Sequence, residues 1–146
     1  MKLRIAWIKQ GRSGPEIETL TADYLQRIGR YIPIEAQEFR SEAALLEHAS
    51  KQRGSSTLVL LDPRGRQLSS EQFADFIRQQ QERGIAQLTF AVGPADGFSD
   101  GARAAAASTM SFGPMTFAHE LARVLLAEQI YRAFTILKGH PYHTGH

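Results

Sequence analysis

Short β-rich runs that alternate with helical segments along the chain limit its fold more than any other feature. Thr57–Leu61 reads Thr-Leu-Val-Leu-Leu, and Gln87–Val92 reads Gln-Leu-Thr-Phe-Ala-Val. The first is a continuous apolar run and reads as a strand covered on two faces, and the second reads as another buried strand. Lys2–Ile8 is a third such run, bounded by the turn residues Gly11-Arg12-Ser13-Gly14. Ile32–Phe39 is a fourth, and Pro33, which has no N–H to give to a sheet, places it toward an edge. Thr109–Phe112 is a short fifth run.

Helices fill the intervals. Pro15–Arg30 starts with a proline suited to a first turn, and its Glu16 and Glu18 suit the positive end of a helix dipole. Ser41 caps a helix running to about Arg53, before Gly54. Thr57–Leu61 breaks at Asp62-Pro63-Arg64-Gly65, a turn by composition, and Ser69 or Ser70 then caps a helix reaching Gly84. Ser99 opens an Ala-rich helix to about Ala107, and a long helix covers Ala118–Leu137 and ends at Gly139. Alternation of this kind predicts an α/β fold, a mostly parallel sheet with helices on both faces, in one domain over residues 1–146.

Composition narrows the class. At 146 residues with 42% hydrophobic and 22% charged, the chain can bury a core without staples, and it has no cysteine for disulfides, thiolate metal sites or a thiol nucleophile. The polar N-terminus does not read as a signal peptide, and no apolar run reaches the roughly 18 residues that cross a bilayer, so a cytoplasmic protein with no membrane partner is expected. Net charge is only +2, but Lys2, Arg4, Lys9 and Arg12 all precede the first acid, Glu16. That cluster is either a solvated strand edge or a small phosphate-contacting patch.

The last helix is apolar round most of its circumference, from Leu121 and Val124 through Ile130 to Phe134 and Leu137. A helix of that kind is either central or covered by a second subunit, and the pattern here reads as a dimer interface.

Ligands of open α/β sheets bind beyond the carboxyl ends of the strands. Loops rich in glycine and proline leave those ends at Leu61-Asp62-Pro63, at Gly93-Pro94-Ala95-Asp96-Gly97 and from Phe112 through Gly113, Pro114, Met115 and Thr116 to Phe117. Leu61, Phe112, Met115 and Phe117 would give them an apolar lining for a flat ring. No G-x-G-x-x-G follows the first strand, and neither a Walker-type loop nor a G-x-S-x-G elbow is present, which disfavours dinucleotide, nucleotide-triphosphatase and serine-hydrolase chemistry. His140, His143 and His146 have a regular spacing, yet Pro141 and Gly145 keep them off a common helix face and no acid completes a ligand set, so no metal is expected.

Three segments together resemble the RlmH (ribosomal RNA large subunit methyltransferase H) family of the SPOUT superfamily. They are Val92-Gly93-Pro94-Ala95-Asp96-Gly97-Phe98-Ser99, His119-Glu120-Leu121-Ala122-Arg123-Val124-Leu125-Leu126-Ala127-Glu128-Gln129-Ile130-Tyr131-Arg132-Ala133, and His140-Pro141-Tyr142-His143. The resemblance implies a C-terminal trefoil knot and a homodimer. It also implies transfer of a methyl group from S-adenosylmethionine to N3 of a pseudouridine in 23S rRNA, on assembled 70S ribosomes near the decoding site. By position it implies cofactor contacts at Leu61, Gly93 and Phe112 through Phe117. His143, Tyr142, His140 and His119 become the candidates for moving the N3 proton or stabilising the anion. Lys9, Arg12 and Arg123 become the candidate RNA contacts. Two departures stand out: Gly93-Pro94-Ala95-Asp96-Gly97 replaces the family's usual Gly-Gly-Pro-Glu-Gly, and Thr144 stands where a basic residue commonly follows. The tail change leaves a second reading, a ribosome-associated protein that binds S-adenosylmethionine without catalysis.

Overall fold

In a computed structural model, residues 1–94 and 96–143 are described, His143 by its backbone. The elements run β1 (Lys2–Ile8), α1 (Pro15–Ile28), β2 (Ile34–Phe39), α2 (Glu42–Ser50), β3 (Ser56–Gln67), α3 (Ser70–Glu82), β4 (Gln87–Val92), α4 (Asp100–Ala105), β5 (Ser108–Ser111), α5 (His119–Leu137) and a 3-10 turn, Pro141–His143. All strand pairs are parallel, in the order β2-β1-β4-β3-β5. The predicted alternation and two-faced sheet are therefore present, and Pro33 does precede an edge strand.

Two-residue periodicity divides the core. Leu3, Ile5, Val59, Leu61, Leu88, Phe90 and Val92 face one side, against Ile28 of α1, Phe73 and Ile77 of α3, and Leu126, Ile130 and Phe134 of α5. Ala6, Ile8, Phe39, Leu58, Leu60 and Ala91 face the other, against Leu45 of α2, Ala102 of α4 and Phe98 just before it. Helix starts follow the serines. Ser41 Oγ accepts from Ala44 N at 3.1 Å, and Ser99 Oγ accepts from Ala102 N at 3.1 Å. Ser69 forms a capping box with Gln72.

Two expectations change. Asp62-Pro63-Arg64-Gly65 does not end its strand. β3 continues to Gln67, and Leu61 and Arg66 both pair with Met110, so the residues between them bulge out of the ladder. Pro63 is tolerated because pairing with β4 has already stopped at Leu61, and a Cβ on Gly65 would lie 2.6 Å from the Met110 backbone. The last helix is chiefly central rather than reserved for a partner. It lies between α1 and α3 on the sheet, with Leu126, Ala127, Ile130 and Ala133 fully buried within the chain itself.

Candidate active site

The bulge of β3 and the carboxyl ends of β4 and β5 meet in a cleft of about 600 Å³ of open space, mouth included. Leu61, Gly93, Phe112, Gly113, Met115, Thr116 and Phe117 all line it, and His119, the first residue of α5, joins them. Pro114 belongs to the same loop but is not part of the lining. Side chains hold the loop after β5 in shape. Ser111 Oγ accepts from Gly113 N at 3.0 Å and donates to Gly113 O at 2.8 Å, while the rings of Phe112 and Phe117 meet edge to face at 6.4 Å. Gly93 is required by close approach, since a Cβ there would sit 2.7 Å from the Phe98 ring. Gly97 is required by its backbone, at φ +81°.

Sequence reasoning passed over Asp62, which lies under this cleft and ties its walls together. Its side chain is 0% exposed. It accepts from Arg64 N at 2.9 Å and from Arg64 Nε at 3.2 Å, and Arg103 stands 3.7 Å away. Burial pushes its pKa up, but hydrogen bonds from Arg64 and from the Phe98 backbone outweigh this and hold it below the usual carboxylate range. Arg64 and Arg103 in turn donate to Phe98 O, at 3.3 and 2.8 Å. One ionised carboxylate thus anchors the bulge of β3 to the loop after β4. The signal in the sequence was an acid directly after a fully apolar strand, where an unpaired charge is expensive.

His119 has its pKa lowered, first by burial and then by Arg123 one turn along the helix. Both effects favour the neutral imidazole, which lines the cleft and can accept a proton. Arg123 itself is 1% exposed. Its guanidinium lies over Trp7, 4.2 Å from the ring centroid, donates to Ser13 Oγ and stands 3.7 Å from Glu18. It faces the protein interior here, whereas Lys9 and Arg12 are exposed.

The tail candidates lie elsewhere. Tyr142 donates to Glu128 Oε1 at 3.1 Å and packs against Tyr131, with Arg132 over its ring. Burial first, then Tyr24 and Glu128, raise its pKa, so its hydroxyl stays protonated. His140 Nδ1 is 2.5 Å from the Tyr31 hydroxyl. Glu128 is nine residues beyond His119, about 14 Å along the helix axis. The backbone of His143 closes the 3-10 turn, while its side chain, Ala95 and Thr144 to His146 lie outside the described residues. Among the described residues no cluster of histidines and acids forms a metal site, and no helix is long and apolar enough to cross a membrane.

Known proteins resemble this chain over most or all of its length. The family described as "Predicted SPOUT methyltransferase" matches residues 1–143. The chain is 46% identical over 147 residues, covering 100% of both chains, to the Ribosomal RNA large subunit methyltransferase H of Koribacter versatilis (strain Ellin345). It is 41% identical to the protein of the same name from Trichlorobacter lovleyi, covering 98% of this chain and 99% of that one. Among solved structures it resembles the crystal structure of TrmJ from Z. mobilis ZM4, with a TM-score of 0.56 and 15% identity over 92% of this chain and 70% of that one, a likeness of fold.

Proposed function

This chain belongs to the SPOUT methyltransferase family, and from that premise we propose that it methylates 23S rRNA with S-adenosylmethionine, at N3 of a pseudouridine, on assembled 70S ribosomes. The observation that carries this reading is the cleft, in which three strand-end loops converge with a neutral imidazole at their edge. Relatives alike over their whole length bear the name Ribosomal RNA large subunit methyltransferase H.

The residues present fit the methyl donor. Leu61, Phe112, Met115 and Phe117 offer apolar surface to an adenine, and Gly93, Gly113 and Thr116 line the cleft where the polar parts would lie. Gly113, at φ +131°, has nothing within 4 Å of where a Cβ would be, so its backbone is bare toward a ligand. When bound, S-adenosylmethionine supplies an already electrophilic methyl group, so the protein's task is on the acceptor. N3–H lies between two carbonyls and must give up its proton before or as nitrogen attacks. His119 is the acceptor already at the cleft. Tyr142, which stays protonated, acts as a donor toward the developing anion, with His140 and His143 beside it on the tail.

That tail packs against the middle of its own α5, so its reach to a cleft requires a second copy. We place the active form as a cytoplasmic homodimer in which the tail of one protomer serves its partner's cleft. Met115, Phe117 and Leu121, exposed by 77%, 43% and 45% beside the mouth, support such a cover. The trefoil knot belongs to the same reading; family membership supports it, as does the packing of α5 between α1 and α3 although the chain enters it from edge strand β5.

The test is transfer of labelled methyl from S-adenosylmethionine to 70S ribosomes lacking the modification, with His119→Ala and His143→Ala in parallel. Label in 23S rRNA at a pseudouridine N3, lost in one or both variants, is the expected result. Absence of transfer by wild-type protein that binds S-adenosylmethionine overturns catalysis in favour of a binding protein.

A further inference from the structure

The cations at the ends of β1, the strand next to β4, and of the edge strand β2 form no ion pair among the described residues. β1 and β2 pair up to Ile8 and Phe39, and Lys9 N then donates to Phe39 O at 2.8 Å. Lys9 and Arg40 are therefore neighbours one residue past the last register pair, and both are exposed. Arg12 follows in the loop after β1, also exposed. None of the three forms an ion pair among the described residues.

The acids that flank Arg40 in sequence are engaged elsewhere. Glu38 Oε1 accepts from Trp7 Nε1 at 3.2 Å, and Glu42 accepts from Ser99 N and Oγ at 2.8 and 2.6 Å. Two like charges at adjacent strand ends repel, and no ion pair among the described residues relieves them. An anion from outside does.

The position is continuous with the cleft. His119 lines it, Arg123 one turn on lies over Trp7, and Trp7 holds Glu38, two residues before Arg40. Glu38 is close enough to act on His119. Phosphates seated on Lys9 and Arg40 would thus run beside the imidazole.

We propose that Lys9 and Arg40, with Arg12 beside them, form a docking rim for RNA backbone phosphates that lays the substrate strand across Trp7 toward the cleft. The inference rests on the rRNA-methylation reading and adds Arg40 to its contacts, while Arg123 acts from the inside by holding Trp7 under the strand.

The double variant Lys9→Glu/Arg40→Glu tests it, with Lys9→Gln/Arg40→Gln as the milder form. Filter binding to 70S ribosomes and methyl-transfer kinetics are measured across a salt series, with thermal melting and S-adenosylmethionine binding as controls. KM for ribosomes should rise on the order of tenfold for the charge reversal. The slope of log affinity against log salt should fall by about two, one per lost phosphate contact. The maximal rate and cofactor affinity should not move. Unchanged KM and slope in variants that fold, beside an active wild type, would overturn the rim and leave the enzyme standing. A raised KM with an unchanged salt slope would overturn it in favour of a protein contact. Loss of salt-sensitive binding where wild-type protein binds but transfers no methyl would keep the rim and sink the catalytic reading.

Discussion

Asp62→Asn probes the anchor beneath the cleft without changing its shape. The wild-type carboxylate takes hydrogen bonds from Arg64 N at 2.9 Å and Arg64 Nε at 3.2 Å, plus one from the Phe98 backbone. Breaking a buried ion pair typically costs about 3–5 kcal/mol. Here the Arg64 side chain is 60% exposed, so solvent already screens much of the attraction and the lower end must be discounted. What remains is the loss of charge on the acceptor, and an amide NH₂ now facing donors, together about 2–3 kcal/mol. In a domain of this size that lowers Tm by roughly 4–10 °C. The pH dependence has a fixed sign. The folded carboxyl titrates below its unfolded value of about 3.9, so its contribution is complete above that pH and disappears as pH falls through the folded pKa. Melting curves of both proteins should therefore differ by a constant amount from pH 8 to 5 and converge in stronger acid. A variant within about 0.5 kcal/mol of wild type at pH 7 would refute the anchor. A gap that persists undiminished in strong acid would show that the charge is not its source.

Other substitutions report on separate parts of the molecule. Gly93→Ala must displace the Phe98 ring, 2.7 Å from the new Cβ, and should cost about 1–3 kcal/mol with weaker S-adenosylmethionine binding by calorimetry. Ile130→Ala, at the fully buried centre of α5, should cost about 2–5 kcal/mol in urea unfolding with native spectra retained. His48 Nε2 faces Arg4 and Gln52, each at 2.8 Å, and burial followed by Arg4 lowers its pKa. Its contribution is thus present above the unfolded value of about 6.5 and lost as pH falls through the folded one, so His48→Gln should flatten the stability profile between pH 7 and 5.

Much of this fold was legible because its local signals agree with one another. The serine caps at 41, 69 and 99 begin the helices they were expected to begin, and the apolar runs lie where strands with two covered faces must lie. The cleft followed from the same logic, since loops of glycine and proline at neighbouring strand ends converge only if those strands are adjacent, as β4, β3 and β5 are. The misreadings share a cause. Asp62-Pro63-Arg64-Gly65 has turn composition, and only the pairing of Arg66 with Met110 across the sheet keeps the chain extended. Arg123 reads as a surface cation until Trp7 and Ser13, more than a hundred residues earlier, close around it. Neither partner leaves a mark near the residue it changes.

The buried arginine also shows how the core and the site constrain each other. α5 is held by its apolar side against the sheet, which fixes the rotation of the helix and so the direction of His119 at its first turn and of Arg123 at its second. Because Arg123 is enclosed by Trp7, Ser13 and Glu18, water screens its charge less than that of an exposed arginine, and it adds to burial in lowering the His119 pKa. Replacing it with a lysine would keep the charge but lose the flat stacking on the indole and the fork that meets Ser13 and Glu18 together. The neutral state of the imidazole at the cleft is therefore a property of core packing as much as of the site, and substitutions around Trp7 should alter the pH profile of methyl transfer while leaving the cleft lining untouched.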